Sequence, residues 1–258
     1  MKRKIKKMYD EKSRKKSIGK KLFDRTFFLF FFAFGGGFFS SFSSLSASVC
    51  PYPKEKPVVQ AVLQAVEPVY YNHLSSKDFQ AFAQQNRVQF YPNNPELYRA
   101  TENLRGLTLS RLEEKTSLRT TLIPVKGGFC LYPSVLKLTV GFDKMLVLID
   151  SAYLPYSCPY TAVINHENEH VKVNYNTLRF YLPFIRDAYE KALLKIEPIF
   201  FATPLQEKTA TDYILKFLKE QTRPVFDFFN QVQKSENQKL DTRESYLKTR
   251  LLCPDSDW

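Results

Sequence analysis

His166-Glu167-Asn168-Glu169-His170 puts two imidazoles four residues apart, with a carboxylate directly after the first. Zinc takes neutral imidazole nitrogens, and residues i and i+4 of a helix lie one above the other on a single face. A glutamate beside the first ligand can take a proton from a metal-bound water. This HExxH pattern therefore predicts zinc-dependent hydrolysis, with His166 and His170 as ligands and Glu167 as the catalytic base. On a strand the two histidines would be about 13 Å apart, too far to share one ion. The chain has three histidines in all. The third, His73, sits in a polar stretch that reads as a solvated loop, a distant alternative as a ligand.

The motif needs a helix, and its flanks supply one. Ser157 or Thr161 can cap, and Pro159 suits a first turn. Ile164, Val171, Tyr175 and Leu178 follow at spacings of seven, four and three, an apolar seam with the histidines on its flank. Intrinsic propensity points the other way: Asn165, Asn168, Val171, Val173, Asn174, Asn176 and Thr177 are poor helix formers. Packing must override them. Pro183 is expected to break or kink the helix. Ahead of the motif, residues 117–125 alternate and are β-branched, and Gly127-Gly128 turns the chain. Residues 135–140 and 145–149 read as two more strands, joined by a hairpin at Gly141-Phe142-Asp143-Lys144. The result is a small antiparallel sheet before the motif. Residues 58–66 suggest a first strand or extended lead-in and 76–85 a short helix. Segments 184–197, 207–221, 224–239 and 241–252 read as C-terminal helices.

The N-terminus carries a different signal. Residues 1–25 hold twelve Lys or Arg against three acidic residues, residues 27–39 are almost wholly apolar, and 40–48 are serine-rich. That order is expected of an export signal. The apolar stretch is short for a membrane span of about 20 residues, so a retained inner-membrane anchor is the alternative to a cleaved signal. The whole chain is +12, but this leader accounts for +9 of it. Basicity thus belongs to export, and nucleic-acid binding is excluded as an expectation. Four cysteines remain beyond residue 49. An even number in an exported chain predicts two disulfides, and Cys130–Cys158 with Cys50–Cys253 is the favoured pairing of the three.

A small sheet followed by an HExxH helix is the order found in zincin metallopeptidases. Residues 137–182, and above all 157–178 (SCPYTAVINHENEHVKVNYNTL), resemble the bacterial family of predicted secreted zinc-dependent proteases. The resemblance covers about a third of the mature chain and rests on His166, Glu167, His170 and the preceding cysteine. It implies an α+β zincin-like fold; the roughly 210 residues beyond the leader are enough for a single domain over 50–258, with an N-terminal segment at 50–116, a sheet at 117–150, the motif helix at 158–182 and a helical part at 184–258. Bound Zn2+ and a peptide or envelope protein as substrate, in the periplasm or outside the cell, go with it. Metzincins carry glycine and histidine where this chain has Val173 and Asn176, so that class does not fit. By similarity to the thermolysin-like class, Glu190, twenty residues after His170, is the expected third ligand. It reaches the metal only if 181–183 reverses the chain. Asp187, Asp241 and Glu244 are alternatives. Glu169 is a candidate support for His166, against a solvent-facing default, and Tyr175 or Tyr189 a candidate oxyanion donor. A zincin-fold protein without catalysis, holding an envelope partner through its sheet edge and cleft, is the competing expectation.

Overall fold

Residues 135–142 alternate, with Lys137 and Thr139 between apolar neighbours, and 145–149 are apolar without a break, the patterns of a strand covered first on one face and then on both. In the computed structural model, which describes residues 50, 51, 53–85 and 105–254, they form one strand, β4 (Gly128–Asp150). The expectations for residues 1–49 lie outside the described residues. Among those described, no helix is long and apolar enough to cross a membrane.

β4 is the axis of a five-stranded sheet. β3 (Gly106–Val125) runs antiparallel along one edge, joined to it by Lys126-Gly127, where Gly127 takes a φ of +86°. Along the other edge lie β5 (Ile199–Phe201), antiparallel, then β1 (Val58–Gln64) and β2 (Val69–Leu74), both parallel to β4. The molecule is therefore a mixed α/β structure. The small, purely antiparallel sheet expected from sequence is corrected: residues 58–74 return along β4 in its own direction, adding two parallel pairings.

The expected hairpin at residues 141–144 is absent, because β4 passes straight through. The pairing jumps from Arg111↔Lys144 to Leu112↔Phe142, leaving Asp143 as an extra, bulged residue. Buried positions in the main core then change parity, from Leu136, Leu138, Val140 and Phe142 to Met145, Val147 and Ile149. A one-residue insertion flips every later side chain to the other face. Here it keeps the apolar set on one side. Asp143 accepts from Arg111 Nε at 2.8 Å and pairs with its guanidinium. Gly141 serves close approach, not a turn: a Cβ there would meet the Gln64 carbonyl oxygen of β1 at 2.2 Å.

Two long helices and two short ones accompany the sheet. After a one-turn 3-10 stretch, α1 (Phe79–Gln85) sets Phe79 among Leu109, Leu146 and Leu148 in a small separate core. The motif lies on α2 (Cys158–Leu193), 36 residues or about 54 Å long. Ser157 caps it by accepting from the Tyr160 amide at 3.3 Å. Its buried Val163, Val171, Leu178, Tyr181, Ile185, Tyr189 and Leu193 share the main core with β4. Seven poor helix formers cost up to about 0.7 kcal/mol each. Seven large buried side chains contribute about 1.5–3 kcal/mol each. Packing wins.

α3 (Glu207–Gln238) lies alongside α2, and a short link leads to α4 (Arg243–Leu251), capped by Thr242, which continues towards the start of α2. Neither Pro183 nor Pro224 breaks its helix, contrary to expectation. Both are exposed, as are Arg179 and Glu220, whose carbonyls they release to water. The disulfides join Cys50 to Cys130 and Cys158 to Cys253. That corrects the expected pairing. Cys130 lies near the hairpin turn, while Cys158 follows the opposite end of β4, about 65 Å away at the rise of a strand.

Candidate metal centre

One turn of α2 presents His166 and His170 on the same face, as their spacing requires. Their Nε2 atoms are 3.3 Å apart. The third group comes from the short link between α3 and α4, where Asp241 Oδ1 stands 3.0 Å from His170 Nε2 and 3.5 Å from His166 Nε2. These three are the group among the described residues whose ligand atoms converge closely enough for an ion. Zinc bonds of about 2.0–2.1 Å at tetrahedral angles separate neighbouring ligand atoms by about 3.3 Å. The observed triangle matches that spacing. The donor set of two imidazoles and a carboxylate also suits zinc, and leaves one corner of the tetrahedron for water.

Charge makes the same point. Lone pairs on two nitrogens and a carboxylate oxygen do not face one another at such distances without a cation between them. In the metal-free chain a proton takes that place. Burial opposes a charge on His170, but the hydrogen bond to Asp241, with Glu167 and Asp241 charges nearby, pushes its pKa up to about 9. Burial likewise opposes the Asp241 carboxylate, yet hydrogen bonds from His166, His170 and Tyr246 hold it well below the usual range.

The orientation of His170 is fixed from behind. Its Nδ1 lies 2.8 Å from Asn237 Oδ1. The Asn237 amide nitrogen donates to Asn174 Oδ1 and to the Gln233 carbonyl, both at 2.8 Å, so its oxygen must face the ring. Nδ1 is then the protonated nitrogen and Nε2 offers its lone pair to the site. Gln233 also donates to Asn174 Oδ1, and the Asn174 amide nitrogen reaches Ser110 Oγ on β3. Asn174, poor for a helix and 3% exposed, wires α2 to both neighbours.

Glu167 is buried against β3. Thr108 Oγ1 donates to its Oε2 at 2.8 Å, and Gly106 leaves room for Oε1, since a Cβ there would lie 2.5 Å from it. Burial raises the Glu167 pKa, while the two histidines and Thr108 draw it down. A carboxyl raised in this way is better matched to proton transfer near neutral pH.

The other expected site residues are elsewhere. Glu190 is not brought to the histidines. Because α2 continues through Pro183, it lies about 30 Å along the axis from His170, where it pairs with Arg186. Asp187 pairs with Lys191 and Glu244 with Lys248. Glu169 binds Lys172 on the exposed side of the helix. Tyr175 holds the Val66 backbone and Tyr189 hydrogen-bonds Glu114, so neither phenol serves the site. His73 is an exposed residue of β2, against Tyr71. The phenol at the site is Tyr246, which donates to Asp241 Oδ1 at 3.0 Å and sets its ring 5.3 Å from that of His166. Sequence reasoning missed Tyr246, Asn237 and Thr108, which belong to no motif. Asp241 was an alternative on the strength of its type alone.

Comparison of the chain with family models, with curated proteins and with solved structures finds no match.

Proposed function

We propose that this chain is an exported zinc-dependent hydrolase, with peptide bonds as its substrate class. The observation that carries the reading is the triangle of His166 Nε2, His170 Nε2 and Asp241 Oδ1, with Glu167 in the same helical turn. Zinc bound there would polarise a carbonyl and bring the pKa of a coordinated water towards about 7. Glu167 takes the proton of the attacking water and passes it to the leaving amine. The hydrogen bond from Thr108 orients its carboxyl, and burial raises its pKa. Tyr246, rather than Tyr175 or Tyr189, is the phenol beside the site, and its O–H would have to turn from Asp241 to reach a developing oxyanion. The zincin-like assignment rests on the HExxH helix packed against a sheet. The two disulfides are consistent with an oxidising compartment outside the cytoplasm. Inner-membrane association through residues 27–39 is the corresponding arrangement if that segment is retained.

A second reading has one observation in its favour. The His166 and His170 side chains are only 9% and 8% exposed, and Tyr246 packs beside the site. A covered metal suits a non-catalytic zincin-fold protein that holds an envelope partner.

Zinc content and peptidase activity separate the two. Purified chain is expected to hold one zinc per molecule, lost in His166→Ala and His170→Ala while far-UV circular dichroism is kept. Glu167→Gln is expected to keep zinc and lose at least about a hundredfold in hydrolysis of an unstructured protein substrate. Zinc retained in both, with wild type as inert as Glu167→Gln, selects the non-catalytic reading. No zinc in the wild type removes both.

A further inference from the structure

Two of the three ligands stand on α2, which the main core holds firmly. The third does not. Asp241 and Tyr246 belong to the segment 239–253, and among the described residues α4 buries none of its own side chains. Leu247, Leu251 and Leu252 are exposed. The polar contacts made by Asp241 and Tyr246 at the site are those with the histidines and with each other. What fastens the segment at its far end is the Cys158–Cys253 disulfide. Cys253 lies twelve residues after Asp241, and Cys158 eight before His166. The covalent link thus closes a ring through the metal position.

We propose that the Cys158–Cys253 disulfide is the clasp that positions Asp241 and Tyr246, so that the metal centre is complete only in the oxidised chain and a dithiol reductant opens it. The proposal rests on the metal reading above. Its chemistry is ordinary exchange. A thiolate of the dithiol attacks the Cys158 sulfur, breaks its bond to Cys253 and releases the Cys253 thiolate. The second thiol of the reductant then displaces Cys158, leaving two cysteine thiols and an oxidised dithiol. Exposure makes this bond the accessible one. Each disulfide has one buried cysteine, Cys253 at 3% and Cys130 at 0% exposure; what differs is the other half, since Cys158 is exposed at the helix start and Cys50 only half-buried, so attack comes at the Cys158 sulfur. Opening the clasp leaves His166, His170, Glu167 and Asn237 where the core holds them. It removes a ligand and a phenol together. A chain made in a reducing compartment would therefore bind zinc poorly until it reached an oxidising one.

The test uses the full chain, loaded with Zn2+ for affinity and with Co2+ for its visible absorption, which reports the ligand set. The double variant Cys158→Ser/Cys253→Ser is expected to keep its circular dichroism, to bind zinc at least about tenfold more weakly, since losing even a ligand's supporting partner costs about 10–100-fold, and to show altered cobalt bands. The control Cys50→Ser/Cys130→Ser should bind as wild type does. Asp241→Asn should reproduce the loss, and adding the clasp substitutions to it should cost nothing more, because both act through one ligand. If the double variant does not fold, brief reduction of the oxidised wild type by a dithiol, opening the exposed pair first, gives the same comparison. Unchanged affinity without the clasp overturns the proposal, as do losses from Asp241→Asn and from the clasp that add in full. Absence of zinc binding in oxidised wild type overturns the metal reading itself, and this proposal with it.

Discussion

Replacing Asn237 with leucine removes the oxygen that accepts the His170 Nδ1 proton and frees the imidazole to turn or to change tautomer. Zinc affinity is expected to fall about 10–100-fold by calorimetry. Asn237→Asp keeps an acceptor in the same place and should retain most of the affinity. At this scale the sequence was legible wherever a motif concentrates chemistry in one turn of helix. His166, Glu167 and His170 came directly from their spacing. Asp241 did not, because a single carboxylate 71 residues after His170 becomes a ligand only when α3 returns along α2. Asn237 and Thr108 were invisible for the same reason. Glu190 was favoured by its separation from the motif, a reading that needed a reversal the chain does not make.

Among the elements, the bulge in β4 offers the sharpest test. Asp143 is the inserted residue, and its hydrogen bonds from Arg111 lower its carboxyl pKa. A carboxylate whose pKa is lower in the folded than in the unfolded chain stabilises the fold fully above the unfolded value, about 4. That contribution is lost as pH falls through the folded value. Wild type and Asp143→Asn should therefore differ in denaturation midpoint at pH 7 and converge towards pH 2. The pair is partly exposed, so the difference should be no more than about 1 kcal/mol and should shrink in high salt. The bulge also explains the misread hairpin. Gly141 and Asp143 are turn-forming types, but the parity change between Phe142 and Met145 was present in the sequence. An alternation that resumes one residue out of step marks an insertion in a continuing strand, not a reversal. Helix continuity through Pro183 and Pro224 was less legible, since it depends on those prolines facing solvent.

For the whole molecule, the length of its elements decides which residues can meet. Glu190→Gln should leave zinc stoichiometry and affinity unchanged and cost no more than about 0.5 kcal/mol in thermal unfolding, the worth of its pair with Arg186. A loss of zinc in that variant would contradict the placement of α2. The two cysteine pairings were illegible for a related reason: they follow from which ends of a long strand and a long helix lie together, and four cysteines fit three schemes. The class of architecture, strands and then helices with the motif on the first long helix, was readable from the alternation of residues 117–125 and the helical spacing of Ile164, Val171, Tyr175 and Leu178, whereas the first half of β3 and the three residues of β5 carried no such signal.

That length has one more outcome. The Cys50 disulfide fastens the start of the described chain at the turn end of β4. Asn174, one helical turn after His170, reaches Met145, fifteen strand positions further on. At the rise of a strand this puts roughly 50 Å between them. The first described residue and the candidate metal centre therefore stand towards opposite ends of one strand, so a bulky group attached at the Cys50 end of the sheet would leave the approach to the imidazoles open.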